Sequence, residues 1–138
     1  MASHADLGAL FECGPRSANP VRRRAQIELA VDRGQCIVWD NNGQVVGFIV
    51  TLPDHFFGRD FVDLLVVSES HRRQGIGRSL MRIVVKSVAA AEVWTSTNES
   101  NIAMRGLLAS EGWSFSGTLR GLDEGDSELV FYLRGMDV

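Results

Sequence analysis

The residues whose types and spacing could do chemistry lie in one short stretch of the chain. Arg72, Arg73 and Arg78 surround Gly75 and Gly77, at a point where helical spacing of apolar residues begins. The first backbone N–H groups of a helix lack an internal acceptor, and the helix dipole makes that end positive. Glycines let the backbone approach a bulky anion, and guanidinium groups add charge. The stretch therefore predicts a phosphate or diphosphate site.

Two common nucleotide motifs do not fit this stretch. A dinucleotide fingerprint needs a small residue three positions after the second glycine, where Leu80 stands, and its first glycine directly after a strand. No Gly-Lys-Ser/Thr sequence is present for a P-loop. A tight turn with solvated arginines is the remaining structural alternative. A helix start normally favours acidic side chains, so three arginines there favour the anion site.

The elements on either side must position this stretch. Asp60–Val67 is an apolar run of strand length and predicts a central strand that is buried on both faces. A helix is predicted from Ile76 to about Ala90, and a short strand over Glu92–Thr97. The helix prediction rests on apolar residues at helical spacing: Ile76, Leu80, Ile83, Val84 and Val88.

The N-terminal part is predicted to be helical. Asp6–Cys13 indicates a short helix, and Asn19 with Pro20 is typical of an N-cap and first helical residue. Gly34 fits the end of that second helix. Its apolar face is predicted to contain Val21, Ala25 and Leu29.

The other segments favour strands and one more helix. Gln35–Asp40 and Gln44–Leu52 flank Asn41-Asn42-Gly43, which indicates a hairpin, and Pro53–Gly58 is interpreted as a loop. Asn98–Asn101 offers caps for a helix that Gly112 ends, followed by strands at Trp113–Leu119 and Ser127–Arg134 around the turn-rich Gly121–Asp126. The cluster Trp94, Trp113 and Phe115 is expected in the core. The order predicts an α/β fold, with helices on a mixed sheet, as a single domain over residues 1–138.

Composition excludes several classes of protein. The net charge of −3 and pI near 5.6 argue against general nucleic-acid binding, and Arg22-Arg23-Arg24 is better explained as a solvated helix face. No apolar run reaches the roughly 20 residues that span a bilayer, and no secretory signal opens the chain, so we expect a cytoplasmic protein with no membrane partner. Cys13 and Cys36 are expected to be buried free thiols, and no Cys/His spacing suits a metal.

The segment from residue 61 to 113 closely resembles the GNAT superfamily of N-acetyltransferases. The family's diphosphate loop reads Gln/Arg-x-x-Gly-x-Gly/Ala after a Leu-x-Val strand end, followed later by Asn and a Gly-Phe pair. The matching residues are Leu65, Val67, Arg72, Gly75, Gly77, Asn101 and Gly112-Trp113. The resemblance implies a GNAT-like fold, whose mostly antiparallel central sheet is flanked by helices and has strands 61–67 and 92–97 splayed apart.

The resemblance also implies acetyl-CoA as the cofactor. Backbone groups at the end of the strand would pair with the pantetheine arm, and amides of the loop would hold the diphosphate. Asn101 would contact the pantetheine arm, although Asn is equally a common helix cap, and Leu108 would lie close to the thioester. The full set of implied cofactor-binding residues is Leu65, Val66, Val67, Arg72, Arg73, Gln74, Gly75, Ile76, Gly77, Arg78, Ser79, Asn101 and Leu108.

Acetyl transfer to an amine needs a base for the ammonium and a donor for the thioester oxygen. Asp63 shares its side of the strand with Leu65 and is the candidate base, with a substrate-binding or structural role as alternatives. Glu69, His71 and His55 are weaker candidates. Many relatives place a tyrosine acid where this chain has Leu108, so Tyr132, water or no acid at all would serve the thiolate.

Two functions remain open at this stage. One is direct transfer of acetyl to a primary amine of a small molecule or peptide, without a relay through Cys13 or Cys36. The other is a non-catalytic acyl-CoA-binding or regulatory module, which the missing tyrosine favours. The segments without a motif would contact the acceptor, whose identity stays open, and a homodimer is expected by analogy only.

Overall fold

The computed structural model describes residues 1–14, 17, 19–87 and 92–134. Within these residues, short 3-10 helices at His4–Asp6 and Glu69–His71 accompany four α-helices and six strands. The helices are α1 (Leu7–Glu12), α2 (Pro20–Asp32), α3 (Ile76–Ser87) and α4 (Ile102–Ser110). The strands are β1 (Cys36–Asn41), β2 (Gln44–Phe56), β3 (Arg59–Val67), β4 (Glu92–Asn98), β5 (Ser114–Leu119) and β6 (Glu128–Arg134).

The six strands form one mixed sheet in the order β1-β2-β3-β4-β6-β5. The β1–β2, β4–β6 and β5–β6 ladders are antiparallel, whereas β3 and β4 run parallel. The parallel ladder joins Asp60–Val62 to Val93–Thr95. A parallel pair needs a crossover, which α3 supplies between these two strands. The predicted mixed sheet with helices packed on it is confirmed.

The chain divides into two compact units. The first unit contains Met1–Thr51 and Leu64–Val84, and the second contains Leu52–Asp63 and Val85–Val138. Both β2 and β3 pass from one unit to the other.

The core of the first unit corrects the predicted face of α2. Val21 is 80% exposed and Leu29 48% exposed, whereas Ile27, Ala30 and Val31 are buried. Ile27, Ala30 and Val31 follow the i, i+3, i+4 spacing of a helix face, so they bury one continuous apolar stripe. The predicted apolar face through Val21 and Leu29 is therefore wrong.

The core of the second unit is built on β4, α4 and β6. Val93, Leu108, Trp113 and Leu129 are buried, and the buried Oγ1 of Thr95 donates to the carbonyl of Val62 at 2.9 Å. That bond satisfies a hydroxyl which would otherwise be costly to bury.

Two of the three aromatic residues expected in the core lie elsewhere. Trp113 is buried as predicted, but Trp94 is only partly buried and Phe115 is 56% exposed. Phe115 lies on β5, the last strand in the sheet order, where it packs edge-on against Phe131 with ring centroids 5.6 Å apart. An edge strand has a neighbouring strand on one side only, so fewer residues cover its side chains. This explains the exposure of the Phe115 ring.

The segment Pro53–Gly58, interpreted above as a loop, is largely strand. β2 continues through Pro53 to Phe56, and a two-residue turn, Phe57-Gly58, leads into β3. Asp54 has a positive φ of 51°, and its N–H donates to Oδ1 of Asp60 at 3.3 Å. Pro is tolerated in a strand where the ladder is irregular, and the left-handed residue beside it marks that irregularity.

The local signals elsewhere are confirmed. The side chains of Asn19 and Asn101 cap α2 and α4, and Asn42-Gly43 forms the turn between β1 and β2. β3 is less buried than predicted, because Leu64, Leu65 and Val67 keep part of their surface. The helix α3 is described to Ser87, and the predicted continuation over residues 88–90 lies outside the described residues. Within the described part, none of the helices is both long and apolar enough to cross a bilayer.

Candidate functional site

The end of β3 is held tightly within the first unit. Val66 is buried, and a Cβ on Gly14 would lie 2.2 Å from its Cγ1. A Cβ on Gly47 would likewise lie 3.2 Å from the carbonyl oxygen of Val66. Two glycines from distant parts of the chain therefore allow the backbone to pack closely around this strand end. Leu65 and Val67, which alternate with Val66, remain partly exposed.

A short turn follows the strand. The N–H of Ser68 donates to the carbonyl of Val46 at 2.8 Å, which ties the strand end to β2. Nδ1 of His71 lies 2.7 Å from the hydroxyl of Ser68 and 3.0 Å from that of Ser70. The side chain of His71 is thus engaged in fixing the turn, while Glu69 is exposed.

The loop then reverses through left-handed backbone into α3. Arg73 has φ of 64° and Gly75 has φ of 79°, and α3 starts at Ile76. The buried residues Ile76, Leu80, Met81 and Val84 fix the helix on the first unit. The first turn of α3 contains no acidic residue. The positive end of this helix is therefore not neutralised by its own first turn.

The charges around this helix end are cationic. Arg72, Arg73 and Arg78 are all exposed, and so is Gly75, beside which an added Cβ would meet nothing within 4 Å. The positive end of a helix, open space and guanidinium groups are the ingredients of a diphosphate site. The sequence-predicted residues from Arg72 to Ser79 thus lie together in this loop and the first turn of α3.

In the second unit, Asp63 shares a sheet face with an aromatic group. Phe61 pairs with Trp94, and Trp94 pairs with Tyr132 across the ladders. Paired residues point to the same face, and Asp63, two residues beyond Phe61, points there as well. Asp63 is partly buried and makes at least one interaction within the protein.

Tyr132 contacts two neighbours on this face. Its ring centroid is 4.8 Å from that of Trp94, and the guanidinium carbon of Arg134 lies over the ring, 4.4 Å from its centroid. Arg134 also donates to Glu92, which accepts from Arg59 as well. Both arginines lower the pKa of Glu92, with Arg134 contributing more. The proposed role of Tyr132 as an acid stays a prediction.

The structure places Asn101 and Leu108 at the start and in the body of α4. Oδ1 of Asn101 accepts from the N–H of Met104 at 3.1 Å, so the capping role is real and leaves the amide NH₂ as the group that a ligand would use. Leu108 is 0% exposed and packs in the core of the second unit. The expectation that Leu108 lies beside the thioester stays a prediction.

The cysteines are buried free thiols, as predicted. Burial raises the pKa of Cys13, against a smaller lowering by the backbone of Ser68, and raises that of Cys36 to about 11. Only a thiolate is a good nucleophile, so neither residue is suited to a covalent relay at neutral pH.

Residues 5–113, more than three quarters of the chain, match the acetyltransferase (GNAT) family. The chain belongs to this family. Among curated proteins, none matches it. The family assignment agrees with the strand–loop–helix geometry of the first unit, where the motif residues Arg72, Gly75 and Gly77 lie together.

Solved GNAT structures share the whole fold. A GNAT-family acetyltransferase from Bacillus cereus is 31% identical, with a TM-score of 0.85 over 96% of this chain and 93% of that chain. A ribosomal-protein-alanine N-acetyltransferase from Brucella melitensis is 22% identical, with a TM-score of 0.76 over 96% of each. The yncA protein of Salmonella typhimurium, solved with its cofactor acetyl-CoA, is 20% identical, with a TM-score of 0.75 over 96% of this chain and 90% of that chain.

Sequence reasoning missed two features near these sites. One is the close packing of Gly14 on Val66, for which no local signal exists because the two residues are far apart in the chain. The other is the aromatic pair Phe56-Phe57, which the sequence pattern predicts to lie in a loop. No turn signal marks that pair, because a type I′ turn prefers Asn or Asp where Phe57 stands.

Proposed function

We propose that this GNAT protein transfers the acetyl group of acetyl-CoA directly to a primary amine of a small molecule or peptide. One observation carries the proposal. The left-handed turn at Arg73–Gly75 opens the start of α3, with exposed arginines around it and no carboxylate in its first turn. The acetyl-CoA diphosphate is the ligand that fits these groups within this family.

The chain's own groups have distinct roles in binding. The backbone N–H groups of the residues from Arg73 to Gly77 hold the diphosphate, and the side chains of Arg72 and Arg78 add charge-assisted contacts. Backbone groups of Leu65, Val66 and Val67 pair with the pantetheine amides, as an adjacent strand would. The NH₂ group of Asn101 is the proposed contact for the same arm.

The chemistry needs only a few further groups. Acetyl-CoA supplies an acyl group already activated as a thioester. The N–H of Val67 is the proposed donor to the thioester oxygen as it gains charge. Asp63 is the proposed base that takes the ammonium proton, since it is partly buried on a face with aromatic neighbours. Tyr132 or water returns a proton to the sulfur.

A second candidate is a non-catalytic acyl-CoA-binding module. The observation in its favour is Leu108, an apolar and fully buried residue where many relatives have a tyrosine. A CoA thiol is acidic enough to leave without a dedicated acid, which is why we prefer the enzyme. Cytoplasmic location, a homodimer and a single functional domain stay predictions.

The test compares the protein with its Asp63→Asn variant. Release of CoA from acetyl-CoA is followed with a panel of primary amines, and binding of acetyl-CoA is measured by calorimetry. If Asp63 is the base, D63N lowers kcat at neutral pH by about 100-fold or more, while the affinity for acetyl-CoA changes by less than about twofold. Acetyl-CoA binding without turnover of any amine would favour the non-catalytic module. No binding of acetyl-CoA would reject both.

A further inference from the structure

The second unit contains an apolar groove that the proposed mechanism does not use. Its volume is about 450 Å³, within the range of small-molecule sites. Five elements contribute: the end of β2, the turn after it, β4, β5 and β6. The lining residues are Phe56, Phe57, Trp94, Ser116, Gly117, Thr118, Leu119 and Val130. None of these side chains carries a charge.

The aromatic wall of the groove is an ordered set of rings. The centroids of Phe56 and Trp94 are 5.5 Å apart, and those of Phe56 and Phe57 are 4.9 Å apart in an edge-on arrangement. Phe57 is nevertheless 82% exposed. Ring pairs at these distances pack favourably and form a firm surface for a further apolar group.

The backbone at Phe57 is unfavourable for a phenylalanine. Phe57 and Gly58 have φ of 51° and 77°, the double positive φ of a type I′ hairpin turn. The turn between β1 and β2 has the same pattern, 55° and 85°, but is occupied by Asn42 and Gly43, which that turn prefers. A bulky residue at positive φ is an outlier, and such strain concentrates at ligand-binding positions.

The groove shares its sheet face with the proposed base. Phe61 contacts the ring of Phe56, with centroids 5.3 Å apart, and pairs with Trp94. Asp63 follows Phe61 by two residues on β3, which places it about 7 Å from Phe61 at the rise of a strand. Its side chain points to the same face. A carboxylate and an uncharged aromatic groove therefore follow one another on one surface.

We infer that the groove receives an aromatic or branched apolar substituent of the acceptor amine. This inference rests on the proposed function, because the acceptor is the molecule that must bring an ammonium group to Asp63. Charge complementarity assigns the two parts of the acceptor: the ammonium to the carboxylate, and an uncharged apolar group to the groove without charged side chains. The acceptor class is thus an amine whose nitrogen lies a few atoms from a bulky apolar group.

The experiment uses two amines that differ only in this substituent. 2-Phenylethylamine and ethylamine carry the same ammonium group, so the ratio of their kcat/KM values isolates the contribution of the ring. Burying a ring of this size predicts a ratio of about 10 or more in the wild-type protein. Binding of each amine in the presence of CoA, measured by calorimetry, gives the same comparison without turnover.

Phe57→Asn is the informative variant, because asparagine suits the turn and the fold is not endangered. The ratio is expected to fall severalfold in F57N. Phe115→Ser is the matched control, since Phe115 is another exposed ring of the second unit that does not line the groove. F115S should keep the wild-type ratio.

The outcomes separate this inference from the proposed function. Turnover of both amines at equal kcat/KM would overturn the groove assignment and leave the acetyltransferase intact. Selective binding of 2-phenylethylamine that F57N weakens, without any turnover, would support the groove and reject the enzyme. A wild-type dimer that F57N converts to monomers in sedimentation would show that a second copy covers the groove, and would overturn the inference.

Discussion

The two-residue turns of the β1–β2 and β2–β3 hairpins share a backbone and differ in how well their residues suit it. Asn42-Gly43, in the first unit, joins β1 to β2 with the dipeptide that a double positive φ prefers. Phe57-Gly58, in the second unit, joins β2 to β3 with the same φ pattern but a bulky first residue. The residues of the first turn favour its backbone conformation. The first residue of the second turn disfavours it, and its exposed ring lies beside the groove.

The same contrast holds for the other left-handed residues in the described part of the chain. Besides Asn42 and Phe57, the residues with positive φ other than glycine are Asp54 and Arg73. Asp tolerates the left-handed region, but Arg does not favour it. Arg73 lies in the proposed diphosphate loop. The two residues that suit their backbone thus lie at structural positions, and the two that do not lie at proposed ligand sites.

The largest effect is expected on acetyl-CoA affinity, from a substitution at Gly75 in the proposed diphosphate loop. Gly75→Glu places a carboxylate beside a dianionic group, and like charges in contact cost several kcal/mol. The affinity for acetyl-CoA, measured by calorimetry, should fall by about 100-fold or more.

Gly34→Glu is the matched control for this change. Gly34 has φ of 67°, lies in the same unit, and has open space around an added Cβ, as Gly75 does. Both variants should therefore lose similar stability in urea, while only G75E loses acetyl-CoA. Equal acetyl-CoA affinity in the two variants would place the diphosphate elsewhere.

Giving each turn the first residue of the other should change the free energy of unfolding by an intermediate amount. Asn42→Phe puts a bulky residue at φ of 55° and should lower the free energy of unfolding by about 1–2 kcal/mol. Phe57→Asn should raise it by about 0.5–1 kcal/mol, because the gain in backbone energy is partly offset by the lost ring contact with Phe56. Urea denaturation measures both changes. A loss of stability in F57N would mean that Phe57 is there for packing.

Signals that act within a few residues predicted most of the fold. Asn19 and Asn101 form helix caps, Asn42-Gly43 forms a hairpin turn, and Gly75 precedes a helix, all as the local chemistry requires. The order of helices and strands and the mixed sheet followed from these signals together with apolar periodicity. The GNAT resemblance of the loop then gave the family.

The errors arose where a residue's surroundings come from distant parts of the chain. The burial of Ile27 rather than Val21 depends on what packs on α2, and the exposure of Phe115 depends on β5 being an edge strand. Pro53 and Phe57 broke the strand pattern, so the end of β2 was interpreted as a loop. The aromatic groove could not be predicted because its walls come from four strands and a turn. Phe57, which breaks the strand pattern, also lines the proposed acceptor site.

The smallest effects are expected for two arginine variants of the proposed diphosphate loop, which distinguish backbone strain from side-chain charge. Arg72 and Arg73 are adjacent exposed arginines, but Arg72 has an ordinary φ of −70° and Arg73 a left-handed φ of 64°. Replacing either by asparagine removes one charge near the diphosphate, which should weaken acetyl-CoA binding about two- to fivefold, less so at high salt. Only Arg73→Asn relieves backbone strain, so only R73N should become more stable, by about 0.5–1 kcal/mol in urea denaturation.

Equal stability of R72N and R73N would show that the left-handed turn is not strained by its arginine, and the parallel with Phe57 would fail. A gain in stability together with unchanged acetyl-CoA binding in R73N would mean that Arg73 is retained for something other than the diphosphate. We expect one variant, R73N, to show both greater stability and lower cofactor affinity. That pair of changes would show that Arg73 destabilises its own backbone but contributes to ligand binding.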